Sequence, residues 1–417
     1  MARYDRRQIQ RVRFAVESTF GTDLTSDVAN NFYDLRHMGT AIMPDTLVEK
    51  DMTVRQRFLQ ERGVVIGPKR GTVAIESYLT GTNEALAAST SPTKTPQSRF
   101  LEALMGGYSS GQGSAVVALP SPTTTGCTVT TGHGSRFVEG TIASVEVSGV
   151  YYPVLITDVS TDALTWWPAL PSAPSTGDDV LNAQSLYIDE TDESWLQILG
   201  ESAIDRGNIY LLRGCQGDLS FKLERDGLLT WSSSLSGARR NHDDEITTPQ
   251  GGSALAAATY SGTRPIFGTS GGFHFGPSAS STRNLVRVSE FSINPGIAWD
   301  QVPDHAGLEG IGEWERQIPE MTVEMTVLIN ASSGAHEAYL DAFEAETEYG
   351  LLWWVGSTGG NGVSIACPTM QIQAAPEPVE AVNGHEALKL SLLMKESNLT
   401  GAVATAAQVS PMVLGCF

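Results

Sequence analysis

Cysteine and histidine are scarce in this sequence, and none of them has the spacing of metal ligands. The four cysteines, Cys127, Cys215, Cys367 and Cys416, are far apart and form no C-x-x-C pair, which argues against a zinc knuckle and a dense disulfide scaffold. The seven histidines show no H-E-x-x-H or similar arrangement. We therefore expect reduced thiols in a protein made in the cytoplasm, with no metal ion and no other cofactor.

The sequence also lacks long apolar runs and an excess of positive charge. No stretch approaches the roughly 20 apolar residues of a membrane-spanning helix, and no apolar run of signal-peptide length follows the basic N-terminus. Lysine and arginine total 27, against 47 aspartates and glutamates, and the formal net charge is −20. This composition predicts a soluble protein with no membrane partner and no general surface for gripping DNA.

Length and composition predict a folded, mainly β protein. The chain has 417 residues, more than the roughly 250 to 300 at which a single core stops growing. Apolar residues make up 41% of the chain and charged residues 18%, values typical of folded structure. The 42 glycines and 20 prolines indicate many turns. Two or three domains with few helices are therefore expected.

A strand followed by a helix occurs twice. In residues 72–76 and again in residues 322–327, apolar side chains alternate with others, as in a strand with one buried face. In residues 98–104 and 336–343, apolar side chains recur at i, i+1 and i+4, the spacing of one helical face. The repeat predicts two equivalent domains, with chance similarity of two amphipathic segments as the alternative.

The segment 109–186 differs in character from its surroundings. It opens with a Gly/Ser-rich linker, and its short alternating runs are broken by glycine and proline without a helix signal. This pattern predicts a small closed β-module inserted into the first domain. Because insertions are tolerated at exposed loop tips, we expect the module on the exterior of any assembly. Trp166 and Trp167 are interpreted as its core and rim, with a sugar-binding platform as the alternative.

These signals divide the chain into five parts. They are an N-terminal arm (1–30), a first domain (31–108 and 187–250), the inserted module (109–186), a second domain (251–397) and a C-terminal arm (398–417). Each domain closes with a hairpin, from Leu219 to Leu235 in the first and from Cys367 to Met394 in the second. Each half thus contains a strand, a helix and a closing hairpin in the same order.

Two segments imitate serine-nucleophile motifs without their structural context. Residues 107–111 fit G-x-S-x-G around Ser109, but the motif needs a strand before the serine and a helix after it, and here a helix precedes and a linker follows. Residues 268–272 surround Ser270 with glycine but lack the aspartate that precedes the serine in trypsin-like proteases. We expect no enzymatic activity.

A series of four segments runs through most of the chain outside the insertion. They are the early Glu17-Ser18-x-x-Gly21-Thr22, the Thr72 strand with the Phe100 helix, the run from Tyr210 to Cys215 leading into the Leu219 to Leu235 hairpin, and the Arg316 to Val327 strand with the Tyr339 helix. This series resembles the major tail tube proteins of long-tailed, non-contractile bacteriophages, in the type with a duplicated domain.

The resemblance implies two tandem tail-tube domains, each a β-sandwich or barrel with a flanking α-helix, whose strands continue from subunit to subunit into one closed inner barrel. Closure would pair the sheet edges that an isolated domain exposes. Relatives with one domain are expected to form hexameric rings, so two tandem copies imply a trimeric ring with pseudo-sixfold symmetry. A hexamer of the whole chain is the alternative.

The resemblance also implies a location and a set of partners. The location is the virion tail. The partners are further copies of the chain, the tape measure protein, and the tail terminator and distal tail proteins. Genomic DNA would pass through the tube without specific binding, because acidic walls repel phosphates.

We expect the polar faces of the two hairpins to line the lumen of such a tube. A shift of one residue in strand register would exchange the two faces of a hairpin. The candidate lumen residues are Ser220, Glu224, Ser232, Gln371, Gln373 and Lys389.

Both ends of the chain are expected to bridge stacked rings. The N-terminal arm contains five arginines, Arg3, Arg6, Arg7, Arg11 and Arg13. This arm and residues 401–417 are polar or rich in small residues, and such segments gain order only with a partner. A solvated tail is the alternative interpretation of the N-terminal arm.

Two hypotheses from other classes of protein compete with the tube. The first is a β-rich adhesin or carbohydrate-binding surface protein, which would bind glycans as a monomer through Trp166 and Trp167. The second is a serine hydrolase that uses Ser109 or Ser270.

Overall fold

A computed structural model describes residues 9–24, 31–50, 64–82, 94–110, 113–189, 191, 194–202, 209–223, 228–239, 271–309, 311–317, 320–329, 335–356, 362–380, 386–397 and 405–417. Within these residues the fold is mainly β, which confirms the fold class expected from the sequence.

The first half begins with five strands and one helix. The strands are β1 (Ile9–Glu17), β2 (Tyr33–Leu35), β3 (Gly39–Lys50), β4 (Val64–Tyr78) and β5 (Gly106–Ser109). Helix α1 (Pro96–Met105) lies between β4 and β5. The helix begins after Thr95, whose side chain accepts a hydrogen bond from the Ser98 N–H. It buries Phe100 and Leu104, two positions of the helical face that the sequence predicted.

A closed six-stranded barrel follows, inside the segment 109–186. Its strands are β6 (Ser114–Thr123), β7 (Gly126–Val129), β8 (Ile142–Val147), β9 (Val150–Ser160), β10 (Ala163–Trp167) and β11 (Asp179–Asn182). They pair in the order β10-β7-β6-β11-β8-β9, and β9 returns to β10. Val145, Ile156 and Trp166 belong to its own apolar core. A closed β-module is therefore present where the turn spacing predicted one.

Five strands complete the first half, and ten strands with two helices form the second. The former are β12 (Gln184–Ile188), β13 (Trp195–Ser202), β14 (Ile209–Gly217), β15 (Ser220–Leu223) and β16 (Leu229–Arg239). The latter are β17 (Gly272–Pro277), β18 (Val288–Asn294), β19 (Ala298–Leu308), β20 (Ile311–Gln317), β21 (Thr322–Leu328), β22 (Glu348–Val355), β23 (Val363–Ile372), β24 (Glu377–Glu380), β25 (Glu386–Met394) and β26 (Val413–Cys416). Helix α2 (Ala335–Glu344) follows β21, and helix α3 (Ala406–Val409) precedes β26.

Both halves arrange their strands in the same spatial order. The order is β1-β13-β14-β16-β4-β3 in the first half and β17-β22-β23-β25-β21-β18 in the second, and every neighbouring pair is antiparallel. The helices α1 and α2 follow the equivalent strands β4 and β21. A register shift also recurs at the equivalent place, after Leu196 in β13 and after Tyr349 in β22. The shared topology and the shared irregularity indicate two copies of one domain, in which Thr72 corresponds to Thr322.

Two layers of strands enclose the main hydrophobic core. Strands β3, β4, β16 and β15, continued by β18, β21, β25 and β24, form an eight-stranded layer through both halves, which we name the junction sheet. Strands β1, β13 and β14, with their equivalents β17, β22 and β23, form the second layer, which we name the cover sheet. Phe14 of the cover sheet, Phe100 of α1 and Trp231 of the junction sheet meet between the layers. The ring centroids of both Phe14–Phe100 and Phe100–Trp231 are 5.2 Å apart.

The described parts of the two expected arms belong to the folded sheets, which corrects the prediction for these residues. Residues 9–17 form β1, which pairs with β13, and residues 413–416 form β26, which pairs with β12 and β23. In β1, the buried Val12 and Phe14 alternate with arginines, and Leu414 of β26 is also buried. Both segments therefore have an apolar face that is stabilised by joining a sheet.

Candidate assembly surface

The two halves of the chain join through a short strand pair in the middle of the junction sheet. Here β15 of the first half pairs antiparallel with β18 of the second half. The paired residues are Phe221 with Ile293, Lys222 with Ser292, and Leu223 with Phe291. Phe221, Phe291 and Ile293 are buried in the main core. The junction therefore continues both the sheet and the hydrophobic core from one half into the other.

The two outermost strands of the junction sheet are the equivalents of the two strands that meet at this junction. β24 corresponds to β15, because each pairs with the first residues of the strand that follows it, and β3 corresponds to β18. One edge of β24 pairs with β25, and one edge of β3 pairs with β4. Among the strand pairings of the described residues, β24 pairs only with β25, and β3 pairs only with β4. The two edge strands of the junction sheet, β24 and β3, are therefore equivalent to β15 and β18, the two strands that pair with each other in the middle of the sheet.

One face of the junction sheet is polar in both halves. On β21, Val323 and Met325 face the core, whereas Glu324 between them is exposed, and the same alternation recurs on the neighbouring strands. The charged and hydroxyl-bearing residues of this polar face include Thr72, Glu76, Ser220, Lys222, Thr230, Ser232, Ser234, Glu290, Ser292, Glu324, Thr326, Glu377, Lys389 and Ser391. With four glutamates and two lysines, this set of residues is net acidic.

Strand register carries the polar face across the junction. Lys222 lies opposite Ser292, and Ser292 lies opposite Glu324 on the next strand. Glu324 in turn lies opposite Ser391. The Lys389 ammonium lies 3.2 Å from a carboxylate oxygen of Glu324, and both side chains are about half exposed. An ion pair this exposed contributes little to stability, on the order of 0 to 1 kcal/mol, so it mainly orients the two side chains.

Of the predicted lumen residues that the structure describes, Ser220, Ser232 and Lys389 lie on the polar face of the junction sheet. Gln373 follows β23 and contacts this face, whereas Gln371 belongs to β23 of the cover sheet and lies opposite Leu393 of β25. The hydroxyl groups of Ser220 and Ser232 are 2.8 Å apart, and the Gln373 side chain donates to the Ser391 hydroxyl at 2.7 Å. Glu224 lies outside the described residues.

Sequence reasoning missed the acidic residues of the polar face. These are Glu76, Glu290, Glu324 and Glu377. The signal that could have found Glu76 and Glu324 is the period of two within each strand, since Glu76 directly follows the buried Ile75. Glu76, Glu290 and Glu324 lie outside the two closing hairpins, on strands that pair with them, whereas Glu377 lies within the second hairpin.

The arginines of the expected N-terminal arm fall into two groups. Arg3, Arg6 and Arg7 lie outside the described residues. Arg11 and Arg13 both bind Asp34 of β2, with the Nε atoms 2.7 Å and 3.1 Å from the same carboxylate oxygen. These two side chains are largely buried, so they connect β1 to β2 within the chain.

The inserted barrel packs on the cover sheet of the second half, on the side opposite the junction sheet. Leu351 and Trp353 of β22 face the main core, whereas Leu352 packs in a separate cluster with the barrel residues Ile142 and Trp167. Trp167 lies so close to Gly350 that a β-carbon there would be 2.4 Å from the indole. The order of layers is therefore polar face, junction sheet, core, cover sheet and barrel.

Arg283 connects the barrel to the second half. Its guanidinium donates to the carbonyl of Ala169 at 2.9 Å and to the carbonyl of Pro153 at 3.1 Å, and it lies 4.8 Å from the ring centroid of Trp354. Burial lowers the pKa of Arg283 to about 10, so the side chain stays charged at neutral pH. These contacts fix the orientation of the barrel on the cover sheet.

A buried carboxyl group lies where the β19–β20 hairpin of the second half packs on the first half. Glu17 accepts hydrogen bonds from the Gly21 N–H at 2.8 Å and from the Gly214 N–H at 3.1 Å. Burial raises the pKa of Glu17 to about 7, and these two hydrogen bonds limit the increase. The carbonyl of Gly214 accepts the indole N–H of Trp314 on β20 at 2.6 Å. Glu17 therefore positions the backbone of Gly214, which binds the β19–β20 hairpin through its carbonyl.

The described residues give little support to the competing hypotheses. Trp166 and Trp167 are both buried, and their indole N–H groups donate to the carbonyls of Thr124 and Ser280, so they form no exposed sugar-binding platform. Ser109 lies in β5 opposite Ser185. Ser270 lies outside the described residues.

In the part of the chain that the structure describes, no three potential ligands cluster as a metal site, and no helix has the length and apolarity to cross a membrane.

Comparison with known proteins identifies no family for this chain. No protein-family model matches the sequence. A search of curated proteins gives no significant match either. The function must therefore be inferred from the repeated fold, the sheet edges and the polar face.

Proposed function

We propose that this chain is a structural subunit that forms rings, and that the rings stack into a bacteriophage tail tube, a passive conduit for DNA ejection. The observation that carries the proposal is the pair of open edges on β24 and β3, whose equivalents β15 and β18 are joined inside the chain. A second copy placed by the operation that relates the two halves would bring its β3 to the open edge of β24. Repeating one rotation closes a ring when the rotation divides a full turn.

The number of strands supports a trimeric ring. Each chain has eight strands in the junction sheet, so three chains would supply 24. A closed barrel of 24 strands, spaced about 4.8 Å apart and tilted by about 40°, is roughly 50 Å across between backbones. Side chains would narrow this bore to a width that suits one DNA duplex. Six chains would roughly double the diameter, so we propose the trimer with pseudo-sixfold symmetry.

The chemistry of the polar face is consistent with a conduit. If the junction sheet closes, the side that is not covered by the core and the cover sheet turns toward the bore. That side has hydroxyl groups and a net negative charge, and the negative charge repels DNA phosphates instead of binding them. The barrel, which lies beyond the cover sheet, would project from the outside of the tube.

The resemblance to tail tube proteins completes the proposal. It supports a location of the assembled chain in the virion tail and partners that would be the tape measure protein and the tail terminator and distal tail proteins. The burial of Trp166 and Trp167 removes the feature that favoured a carbohydrate-binding adhesin. We therefore propose no second function.

Negative-stain electron microscopy of the purified full chain over a range of concentrations tests the proposal. We expect rings or hollow filaments of uniform bore. Sedimentation of the same samples should show a species of three chains. A protein that remains monomeric at all concentrations and binds glycans would contradict the tube and favour the adhesin.

A further inference from the structure

We propose that the contact between chains has one defined register, in which Val379 of β24 lies opposite Ala41 of β3 in a second copy of the chain. The inference rests on the proposed function, because it specifies the contact that closes the ring. It is derived from the junction between the two halves.

The correspondence of β24 with β15 follows from the strands beside them. Ser232 lies opposite Glu76 on β4, and Lys389 lies opposite Thr326, the equivalent position on β21, so Ser232 and Lys389 correspond. Ser220 of β15 lies opposite Ser232, and Glu377 of β24 lies opposite Lys389. Ser220 and Glu377 are therefore equivalent. The residues two positions later on each strand, Lys222 and Val379, are then equivalent as well.

The correspondence of β3 with β18 follows in the same way. Ser292 of β18 lies opposite Glu324 on β21, and Ala41 of β3 lies opposite Ala74 on β4. Ala74 and Glu324 are equivalent, since each is two residues after the first threonine of the repeat. Ala41 is therefore the equivalent of Ser292. Because Lys222 lies opposite Ser292 inside the chain, Val379 should lie opposite Ala41 between chains.

Pro378 independently determines which residues of β24 face the open edge. Proline has no N–H, so the antiparallel ladder with β25 must use the N–H groups of Glu377 and Val379, and Pro378 faces outward. The backbone groups of Val379 then point into the chain. In the contact between chains, Val379 and Ala41 would form a pair without mutual hydrogen bonds, whose Cα atoms are about 4.5 Å apart. That separation is within the range of a disulfide bond.

Paired cysteine substitutions in the full chain test this register. In the variant Val379→Cys/Ala41→Cys, oxidation of assembled protein should link neighbouring chains and give a non-reducing gel ladder that ends at the ring size, three chains. The two positions are in the first and the last of the eight strands of the junction sheet, too far apart to react within one chain. The four native cysteines are buried, which keeps background linkage low.

Two matched variants make the result specific. Lys222→Cys/Ser292→Cys occupies the equivalent pair inside the chain and should form an intrachain disulfide, which verifies the oxidation conditions. Val379→Cys/Met43→Cys moves one of the two cysteines by a full strand period, two residues along β3, to a distance of about 7 Å or more. This pair should give at most a trace of linked chains.

The possible results separate the register from the proposed function. Linkage through a cysteine at position 41 and not at position 43 supports the register. Two results would overturn the register and leave the tube in place. In the first, rings or tubes form and the intrachain control oxidises, but the cysteine introduced at position 41 stays reduced. In the second, the cysteine introduced at position 43 links the chains instead. If no variant and no wild-type protein assembles, both the register and the tube are overturned.

Discussion

Replacement of Pro378 by valine should strengthen ring formation, because this proline lies at the open edge of β24. Its equivalent in the intrachain junction is Phe221, which is buried and lies opposite Ile293. Proline cannot donate a hydrogen bond to the strand of the next chain, whereas valine can. The substitution Pro378→Val should therefore add one backbone hydrogen bond to each contact between chains.

The size of the effect follows from the number of contacts in a ring. One hydrogen bond contributes about 1 kcal/mol net, so three contacts contribute about 3 kcal/mol to a trimeric ring. This raises the ring formation constant by roughly 150-fold, since about 1.4 kcal/mol is a factor of ten. Because formation of a trimer depends on the third power of the chain concentration, half-assembly should shift to a concentration about tenfold lower.

Sedimentation velocity over a dilution series measures this shift. The matched control is Pro277→Val, since Pro277 is an exposed proline at the end of β17 in the cover sheet, away from the open edges. We expect the control to assemble like the wild type. The reasoning is refuted if Pro378→Val assembles at an unchanged or higher concentration, or if both substitutions shift assembly equally.

Three further outcomes follow from the buried and polar groups. Because the pKa of Glu17 is about 7 in the folded chain and 4.5 is its ordinary value, the folded state binds the proton more tightly, and stability falls as pH rises from 4.5 to 7. Between pH 5 and pH 8, the free energy of unfolding of the wild type should fall by up to about 3 kcal/mol more than that of Glu17→Gln. An equal pH dependence in the two proteins would contradict the raised pKa of Glu17. Arg283→Met removes two hydrogen bonds and should increase hydrogen exchange at the interface between barrel and cover sheet, without changing exchange in the core around Trp231. Glu76→Lys/Glu324→Lys should leave assembly intact but make tubes retain duplex DNA with an affinity that falls steeply with salt, and salt-independent retention would exclude the electrostatic explanation.

Local patterns predicted the class of the fold and its repeat, because the strands and helices of both halves have a strong apolar period. Val323 and Met325 alternate with Glu324, and Phe100 and Leu104 share one helical face. These patterns reflect burial against a neighbouring layer, which every residue of the element experiences. The barrel was also predictable, because its turns interrupt the chain at regular short intervals.

The strand partners could not be predicted, since pairing is decided between segments far apart in the chain. Nothing local in residues 220–223 indicates that β15 pairs with β18, about 70 residues later. Charge was misleading for Arg11 and Arg13, which were predicted to belong to an arm that bridges stacked rings, with a solvated tail as the alternative. Their sequence also contains the alternation of Val12 and Phe14, and the burial of these two side chains outweighs the preference of the arginines for water because Asp34 compensates their charge.

The duplication itself explains how an edge as weak as that of β24 could close a ring. A ring with six domains has six junctions, and the β15–β18 contact forms three of them inside single chains before any association. Assembly then brings together three bodies instead of six, and each association avoided saves the loss of translational and rotational freedom, on the order of 4 to 15 kcal/mol. The remaining junctions can therefore be short and contain Pro378, features that protect the open edge of a free chain from uncontrolled pairing. In the proposed ring, their combined contribution would still be enough for closure, because the third contact would form between chains that the first two already hold in place.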